Sequence, residues 1–314
     1  MSFPRAPSLV LGTLAALASV AIGAGWQVAT RLGTTTTLDP LDLALFRYLV
    51  PALVLAPIWL RRGLVPQGAS PGVLAILVAG AGLPFGLIAM VGARYAPVAH
   101  MGVLLPATMP LFVAMLSAFA FGETFSGRRR IGFVLIVAGV TAIGLPALAD
   151  RSTGAWRGDA LFLLAALLWS IYTVAYRRSG LDPWTAAATV SAWSATLVLP
   201  LWLLGGGERI AATPPADLAF QVMMQGIVAG IGGLAIYAIA VRNLGPTRAA
   251  TSGALVPAAA ALGGHLVLGE TIDWLSVLGI AAAASGVALA AGVLDRPARP
   301  PSELRRSPAR AGSG

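Results

Sequence analysis

Three ionisable side chains stand inside long apolar stretches of this chain: Arg47, His100 and His265. A charge in a membrane-crossing segment is costly, so each such residue must be paired, hydrated or put to use. Arg47 follows Asp42 in the stretch LDLALFRYLV. It either takes a carboxylate from a solute or pairs permanently with Asp42, Glu270 or a helix-end carbonyl, and the permanent pair is the expectation. Histidine titrates near neutral pH, so His100 and His265 either relay a proton or satisfy a local hydrogen bond. Arg248 opens an apolar segment and is expected to snorkel to the interface. No aspartate or glutamate falls at mid-segment, which argues against a carboxylate-driven proton pump and leaves sodium coupling through backbone carbonyls open.

A second group of residues is suited to hold a small molecule rather than react with it. Trp26 and Gln27, Trp169 and Tyr172, and Tyr237 lie away from the ends of their apolar stretches. Indole and phenol rings offer apolar faces with one hydrogen-bonding tip, which fits an amphipathic or aromatic solute. Gln27 needs a polar partner, because an unsatisfied amide in hydrocarbon costs several kcal/mol. The alternative for such aromatics is the interfacial belt, and Trp59, Trp156, Trp184, Trp202 and Trp274, nearer to stretch ends, fit it better. Covalent chemistry is poorly supplied. There is no cysteine, the two histidines are far apart, and neither HExxH nor GxxxxGK[ST] occurs. No catalytic residue, cofactor or metal site is expected.

The elements that must carry these residues follow from composition. Hydrophobic residues make up 57% of the chain and charged residues 11%, with a mean hydropathy of +0.83. A soluble domain carries about 25% charged residues. Apolar runs of about twenty residues recur along the whole length and match the hydrocarbon thickness of a bilayer. The fold class is therefore all-α integral membrane, with ten transmembrane helices at 8–30, 41–60, 73–94, 97–121, 130–148, 158–176, 183–204, 217–242, 246–269 and 272–294. The N-terminal stretch resembles a signal peptide, but its apolar run continues to Thr30, so it is expected to remain as the first helix. The tail 295–314 is rich in Pro, Ser and Arg and is expected to be disordered and cytoplasmic. The net charge of +9 comes from arginine alone. The arginines cluster at helix ends, the pattern that orients membrane helices, so nucleic acid is not an expected partner. A lipid bilayer and a small-molecule substrate are.

Gly-Glu-Thr closes two of these stretches, at Glu123 and at Glu270. Superposing the two glutamates also superposes Pro110 on Pro257, Gly132 on Gly279, and Gly139-Val140 on Gly286-Val287. With a small shift, Arg31 falls on Arg177, Asp39-Pro40 on Asp182-Pro183, and Pro57 on Pro200. These are helix-punctuating residues, and they read as one five-helix unit written twice, over 8–148 and 158–294. Five is odd, so the second unit is expected inverted relative to the first. Fifteen of the 21 arginines fall on the side of the N-terminus and five on the other, which places both termini in the cytoplasm of a cell-membrane protein.

This layout resembles the drug/metabolite transporter superfamily, in particular EamA-type proteins with two such domains. The resemblance rests on the Trp26 region, Arg47, Pro110, Gly122-Glu123 and Gly132…Gly139-Val140, and in the second copy on Trp169 to Tyr172, Pro257, Gly269-Glu270 and Gly279…Gly286-Val287. Val190 stands opposite Arg47, so any role for that arginine belongs to one half. The resemblance implies a carrier that often exports amino acids or other small metabolites. Gly80, Gly82, Pro84 and Gly86 in the third helix, Gly226, Gly230, Gly232 and Gly233 in the eighth, and Pro110 and Pro257 mark interrupted helices, read either as gating points or as close packing. Gly132, Gly139, Gly144, Gly279 and Gly286 read as a helix scaffold or a homodimer surface. The expected function is a secondary transporter working by alternating access and exporting small organic metabolites such as aromatic or apolar amino acids. The alternatives are a passive channel and, with less support, an intramembrane enzyme.

Overall fold

The computed structural model describes residues 8–292, so the expected tail at 295–314 lies outside the described residues. Every regular element within them is helical. The first apolar stretch is one helix, α1 (Leu9–Thr36), whose 28 residues extend about 42 Å. Next come α2 (Pro40–Val54) and α3 (Ala56–Arg62), bent by 67° at a break that follows Pro51 and precedes Pro57. Proline removes a backbone donor and crowds the preceding turn, so a bend is expected there. The third stretch is α4 (Pro71–Ala81) and α5 (Leu83–Tyr95), and the fourth is α6 (Val98–Gly102), a π-helical turn over Val103–Ala107, and α7 (Met109–Phe121). The continuous helices α8 (Gly127–Ala149), α9 (Ala155–Ser179) and α10 (Pro183–Gly205) follow. The eighth stretch joins α11 (Pro215–Gln221), a long π-helical segment over Val222–Gly232, and α12 (Gly233–Leu244). The last two are α13 (Pro246–Ser252) running through a 3-10 turn into α14 (Val256–Leu268), and α15 (Trp274–Ala290).

All ten expected segments are thus helical. By length and apolarity eight of these stretches suffice to cross a bilayer among the described residues, and a ninth does if the bent α2–α3 pair is one crossing. The remaining α15 has 17 residues, at the short end of what spans hydrocarbon. Large apolar side chains point outward, among them Phe119 at 93% exposure and Leu204 at 87%. Only a lipid surround makes such a face favourable.

Local sequence sets the helix ends. Ser8, Ser70, Ser126, Asp182 and Asp273 accept hydrogen bonds from backbone N–H groups of the first turns they precede, satisfying donors that a helix start leaves free. At the other termini Gly122 and Gly269 take left-handed φ values of 66° and 67°. Only glycine adopts that conformation without strain. Each therefore stops its helix and turns the following glutamate, Glu123 or Glu270, back across the helix end.

Packing places the helices in matching sets. α1 lies against α12 and α14, whereas α9 lies against α4, α5 and α7. α2 contacts the π-helical segment 222–232, and α10 contacts α3 and α4; α2 and α10 also pack on each other. α8 and α15 form the tightest pair. A Cβ on Gly139 would sit 2.6 Å from the Gly279 carbonyl oxygen, and one on Gly286 would sit 2.6 Å from that of Gly132. The four glycines let two backbones touch within the chain, so their contact face is already occupied by its own partner helix. Gly144 has open space around it.

Candidate functional site

Side-chain contacts divide the bundle into two ends. Eighteen residues of α9, about 27 Å, separate Asp159 at one end from Arg177 at the other. At the first end Arg31 Nε donates to Glu270 Oε1 at 3.0 Å and Arg31 Nη1 to the Ala93 carbonyl at 2.8 Å, while the Val98 N–H donates to Glu270 Oε2 at 2.8 Å. Glu270 thereby ties α14 to α1 and α6. Asp39 adds a clamp, with Arg94 at 3.3 Å and Arg209 at 3.5 Å. His100 Nδ1 lies 2.8 Å from Asp159 Oδ1, and His265 Nδ1 lies 2.9 Å from the Glu270 carbonyl oxygen. Both expected histidines therefore sit at this closed end in local hydrogen bonds. The outer Asp159 oxygen, Oδ2, is buried with no partner.

At the other end Arg177 Nη2 donates to Glu123 Oε1 at 2.9 Å and Nη1 to the Ser117 hydroxyl at 3.2 Å. This pair is far more exposed, at 50% and 35% against 19% and 15% for Arg31 and Glu270. A cavity of about 670 Å³ explains the difference. Glu123, Phe125, Arg129 and Arg177 line its mouth, and it runs inward between α1, α7, α9, α12 and α13 to Pro106, Met109 and Trp169. Tyr237 lies on its α12 wall with 40% of its surface free. Arg248 is exposed.

Beyond the inner limit of the cavity an aromatic series continues. Trp169 stands 5.0 Å from Phe85 and 5.2 Å from Tyr172, and Phe85 stands 6.4 Å from Trp26 in a stacked arrangement. Three of the expected pocket aromatics are thus joined through Phe85, a residue that sequence reading did not single out. Trp26 is fixed in turn, since its Nε1 donates to Gln225 Oε1 at 2.9 Å, Gln225 Nε2 donates to the Thr30 hydroxyl at 3.1 Å, and Gln221 Nε2 donates to the Ala29 carbonyl at 2.8 Å. Gln221 and Gln225 were also missed, although two amides one helical turn apart in an apolar run were a readable signal. Gln27 is 2% exposed, and its Oε1 has no hydrogen-bond partner.

Arg47 corrects an expectation. It forms no ion pair among the described residues, and its buried Nη1 has no hydrogen-bond partner. Asp42 lies five residues away on the same helix, about 140° around the axis, and its carboxylate accepts from Trp202 Nε1 at 2.8 Å and from the Gly207 and Asp39 N–H groups at 3.0 Å. Glu270 is held by Arg31. Trp202, expected in the interfacial belt, is thus committed to Asp42. The guanidinium instead lies 4.7 Å above the Trp26 ring centroid. That contact returns about 2 kcal/mol when desolvated, which is comparable to what one unsatisfied charged donor costs.

The interrupted helices meet around this point, and side chains take up the backbone groups freed at the first break. The third stretch breaks at Gly82, whose carbonyl accepts from Tyr48 Oη at 2.5 Å, while the Leu83 N–H donates to the Ser194 hydroxyl at 3.0 Å. Pro84 removes a donor just beyond and makes the break complete. The eighth stretch has no proline after Pro215 at its start, and it widens into the π-helical form rather than breaking. Gly226 and Gly230 there pack on Val50 and Pro51 of α2, at 2.6 and 2.7 Å from where a Cβ would sit. Gly80 packs on Tyr172 and Gly86 on Tyr48. Gly232 and Gly233 have looser surroundings, and Pro110 and Pro257 each follow an irregular turn in α7 and α14.

Comparison with known proteins gives two matches to one family model, the EamA-like transporter family, over residues 10–145 and 156–292. The threonine/homoserine exporter RhtA of Escherichia coli (strain K12) is 28% identical over 183 residues, which is 56% of this chain and 60% of that protein. The alignment therefore spans less than two thirds of that relative. An uncharacterized transporter of Archaeoglobus fulgidus is 26% identical over 85% of this chain and 93% of its own length. A crystal structure, 21% identical, superposes over 93% of this chain and 100% of its own with a TM-score of 0.62, a likeness of fold.

Proposed function

Since the chain belongs to the EamA-like transporter family, a membrane transporter of small molecules, we propose that it is a secondary carrier exporting amino acids by alternating access between two inverted five-helix halves. The observation that carries this reading is the one-ended cavity. Its mouth is framed by Arg177 and Glu123, and the opposite end is shut by Arg31 and Glu270, their counterparts in the repeat. A carrier that exchanges two states related by a pseudo-two-fold axis in the membrane plane needs two such ends, one open while the other is closed. The halves are 8–148 and 158–294, a division supported by the paired family matches and by the matching packing of α1 and α9. Ten crossings then include α2–α3 as one bent span and α15 as a short one.

The arginine excess puts the Glu123 end and both termini in the cytoplasm. A cavity open on that side loads solute from the cell interior, which is the direction an exporter requires. Trp169, Tyr237, Met109 and Val113 give it apolar walls, and Ser117 and Thr173 add hydroxyls. That lining favours amino acids with apolar or aromatic side chains, while the name of the Escherichia coli relative extends the choice to threonine and homoserine. The paired weak points at Gly82 and in 222–232 supply the bending that opens one end as the other closes.

Purified protein in liposomes, tested with labelled amino acids with and without a pH gradient, checks the reading. Saturable counterflow of at least one amino acid is expected, with tags on both termini protected or accessible together. Absence of saturable movement for every amino acid would remove the substrate class, and termini on opposite faces would remove the inverted halves.

A further inference from the structure

We propose that Arg47 is an anion subsite at the centre of the transport path, which takes the carboxylate of the transported solute; the assignment rests on the carrier reading above and names the residue that recognises the carboxylate common to its substrates. Arg47 is a cation with an unfilled donor. Its Nη1 is buried without a hydrogen-bond partner, and among the described residues no carboxylate lies within ion-pair distance. The two acids that sequence made its natural partners, Asp42 and Glu270, are fully engaged elsewhere. Arg47 is half-buried, and the Trp26 face offsets much of the cost of the orphaned donor without giving it an acceptor; a planar fork of donors is matched best by a carboxylate.

The surroundings are built rather than accidental. The Trp26 ring lies under the guanidinium and is locked from behind by Gln225, itself held by Thr30 and Gln221. Pro51, four residues on, cannot donate to the Arg47 carbonyl, so α2 is loosened at this turn. That carbonyl faces Gly230 of the π-helical segment, and the neighbouring Tyr48 donates to the Gly82 carbonyl at the break between α4 and α5. The irregular points of three helices therefore converge on Arg47, the arrangement in which carriers hold substrate near mid-membrane. Trp26 and Phe85 separate Arg47 from the end of the open cavity at Trp169. A solute that enters from the Glu123 end meets Trp169 first, and its carboxylate reaches Arg47 once the Phe85–Trp26 layer parts. Val190 in the second half offers no such charge, so the subsite is single and orients the solute.

The test measures binding of labelled L-phenylalanine and L-threonine to purified wild type, R47K and R47Q, with the unlabelled free acids and the corresponding amides as competitors. In wild type the acid is expected to compete at least tenfold better than the amide. R47Q is expected to lose that preference through weaker binding of the acid alone, with the amide unchanged. R47K keeps the charge but not the fork and is expected to retain a reduced preference, and it carries the test if R47Q does not fold. Equal competition by acid and amide in wild type, or an unchanged acid preference in R47Q or R47K, overturns the subsite and leaves the carrier reading standing. Failure of wild type to bind any amino acid overturns both.

Discussion

Arg31–Glu270 and Arg177–Glu123 are the same two residue types at matching places in a repeated sequence, yet they live in different surroundings. The first pair is mostly buried and stitched to the backbone at Ala93 and Val98. The second faces a cavity, and its arginine leans on Ser117. Both helices end on a left-handed glycine, Gly122 and Gly269, although at the second the Glu270 N–H also donates to the Gly264 carbonyl. The difference therefore comes from what surrounds the pairs, not from how the chain is written. Exposed ion pairs contribute about 0–1 kcal/mol, whereas charge-assisted hydrogen bonds away from solvent contribute about 1.5–3 kcal/mol each. The Glu270 end thus holds this conformation shut, and the Glu123 pair adds little to it. Under the alternation proposed above, the two exchange these roles in the opposite state.

The largest effect is expected from Glu270→Gln. It removes the charge that Arg31 and the Val98 N–H share, a loss of about 2–3 kcal/mol, enough to shift a closed end strongly toward open. Because the chain has no cysteine, a single Ala93→Cys reporter is clean: thiol labelling from the Glu270 side should rise at least tenfold in E270Q. Unchanged labelling would mean that the pair is not what closes this end. A smaller and more even effect is expected from Gly122→Ala and Gly269→Ala. Each forces a Cβ into a left-handed conformation at a cost of about 1–2 kcal/mol. Thermal unfolding in detergent should show similar losses, since both glycines are left-handed; a clearly larger loss at Gly269 would show that the added bond from the Glu270 N–H to Gly264 depends on that turn.

Much of this contrast was legible in the sequence, and part was not. Helix starts were marked by Asp39-Pro40 and Asp182-Pro183, because proline without a free N–H belongs in a first turn, and helix ends by Gly122 and Gly269. The repeat put Arg31 opposite Arg177 and Glu123 opposite Glu270. Which arginine meets which glutamate was hidden, since Arg31 and Glu270 come from different halves of the chain and meet only through tertiary packing. For Arg47 the sequence held the answer in part: five-residue spacing turns Asp42 away on a helix, whereas an i, i+4 neighbour would have faced it. The form of the interruptions was hidden as well. Whether a glycine-rich helix breaks or widens depends on whether side chains such as Tyr48 and Ser194 arrive to satisfy the opened backbone.

A second matched pair, Asp39 and Asp182, sharpens the comparison at lower amplitude. Asp39 is held between Arg94 and Arg209, whereas Asp182 caps α10 through Thr185 and Trp184. Hydrogen bonding from the Thr185 hydroxyl, then from its N–H, holds the Asp182 carboxyl below the usual carboxylate value. A lowered folded value means that the cap stabilises fully above the unfolded pKa, about 3.9, and that the contribution is lost as pH falls through the folded value. Asp182→Ala should therefore cost about 1 kcal/mol at neutral pH, and the gap to wild type should close in acid. A gap that persists at the lowest pH would assign the loss to packing rather than to the charged cap.

The smallest effect is expected from Glu123→Gln. Its partner Arg177 is half exposed and keeps Ser117 and the face of Phe121 when the carboxylate goes, so the loss in the present conformation should be a few tenths of a kcal/mol at moderate salt. In transport the same change should matter more, because the proposed alternation requires a state that closes this end and buries Glu123 as Glu270 is buried now. E123Q should therefore unfold within about a degree of wild type, on the usual scaling of melting temperature with free energy, while its counterflow rate drops several-fold. If stability and counterflow were both untouched, the two ends would not be exchanging roles, and the symmetry between Glu123 and Glu270 would be one of sequence alone.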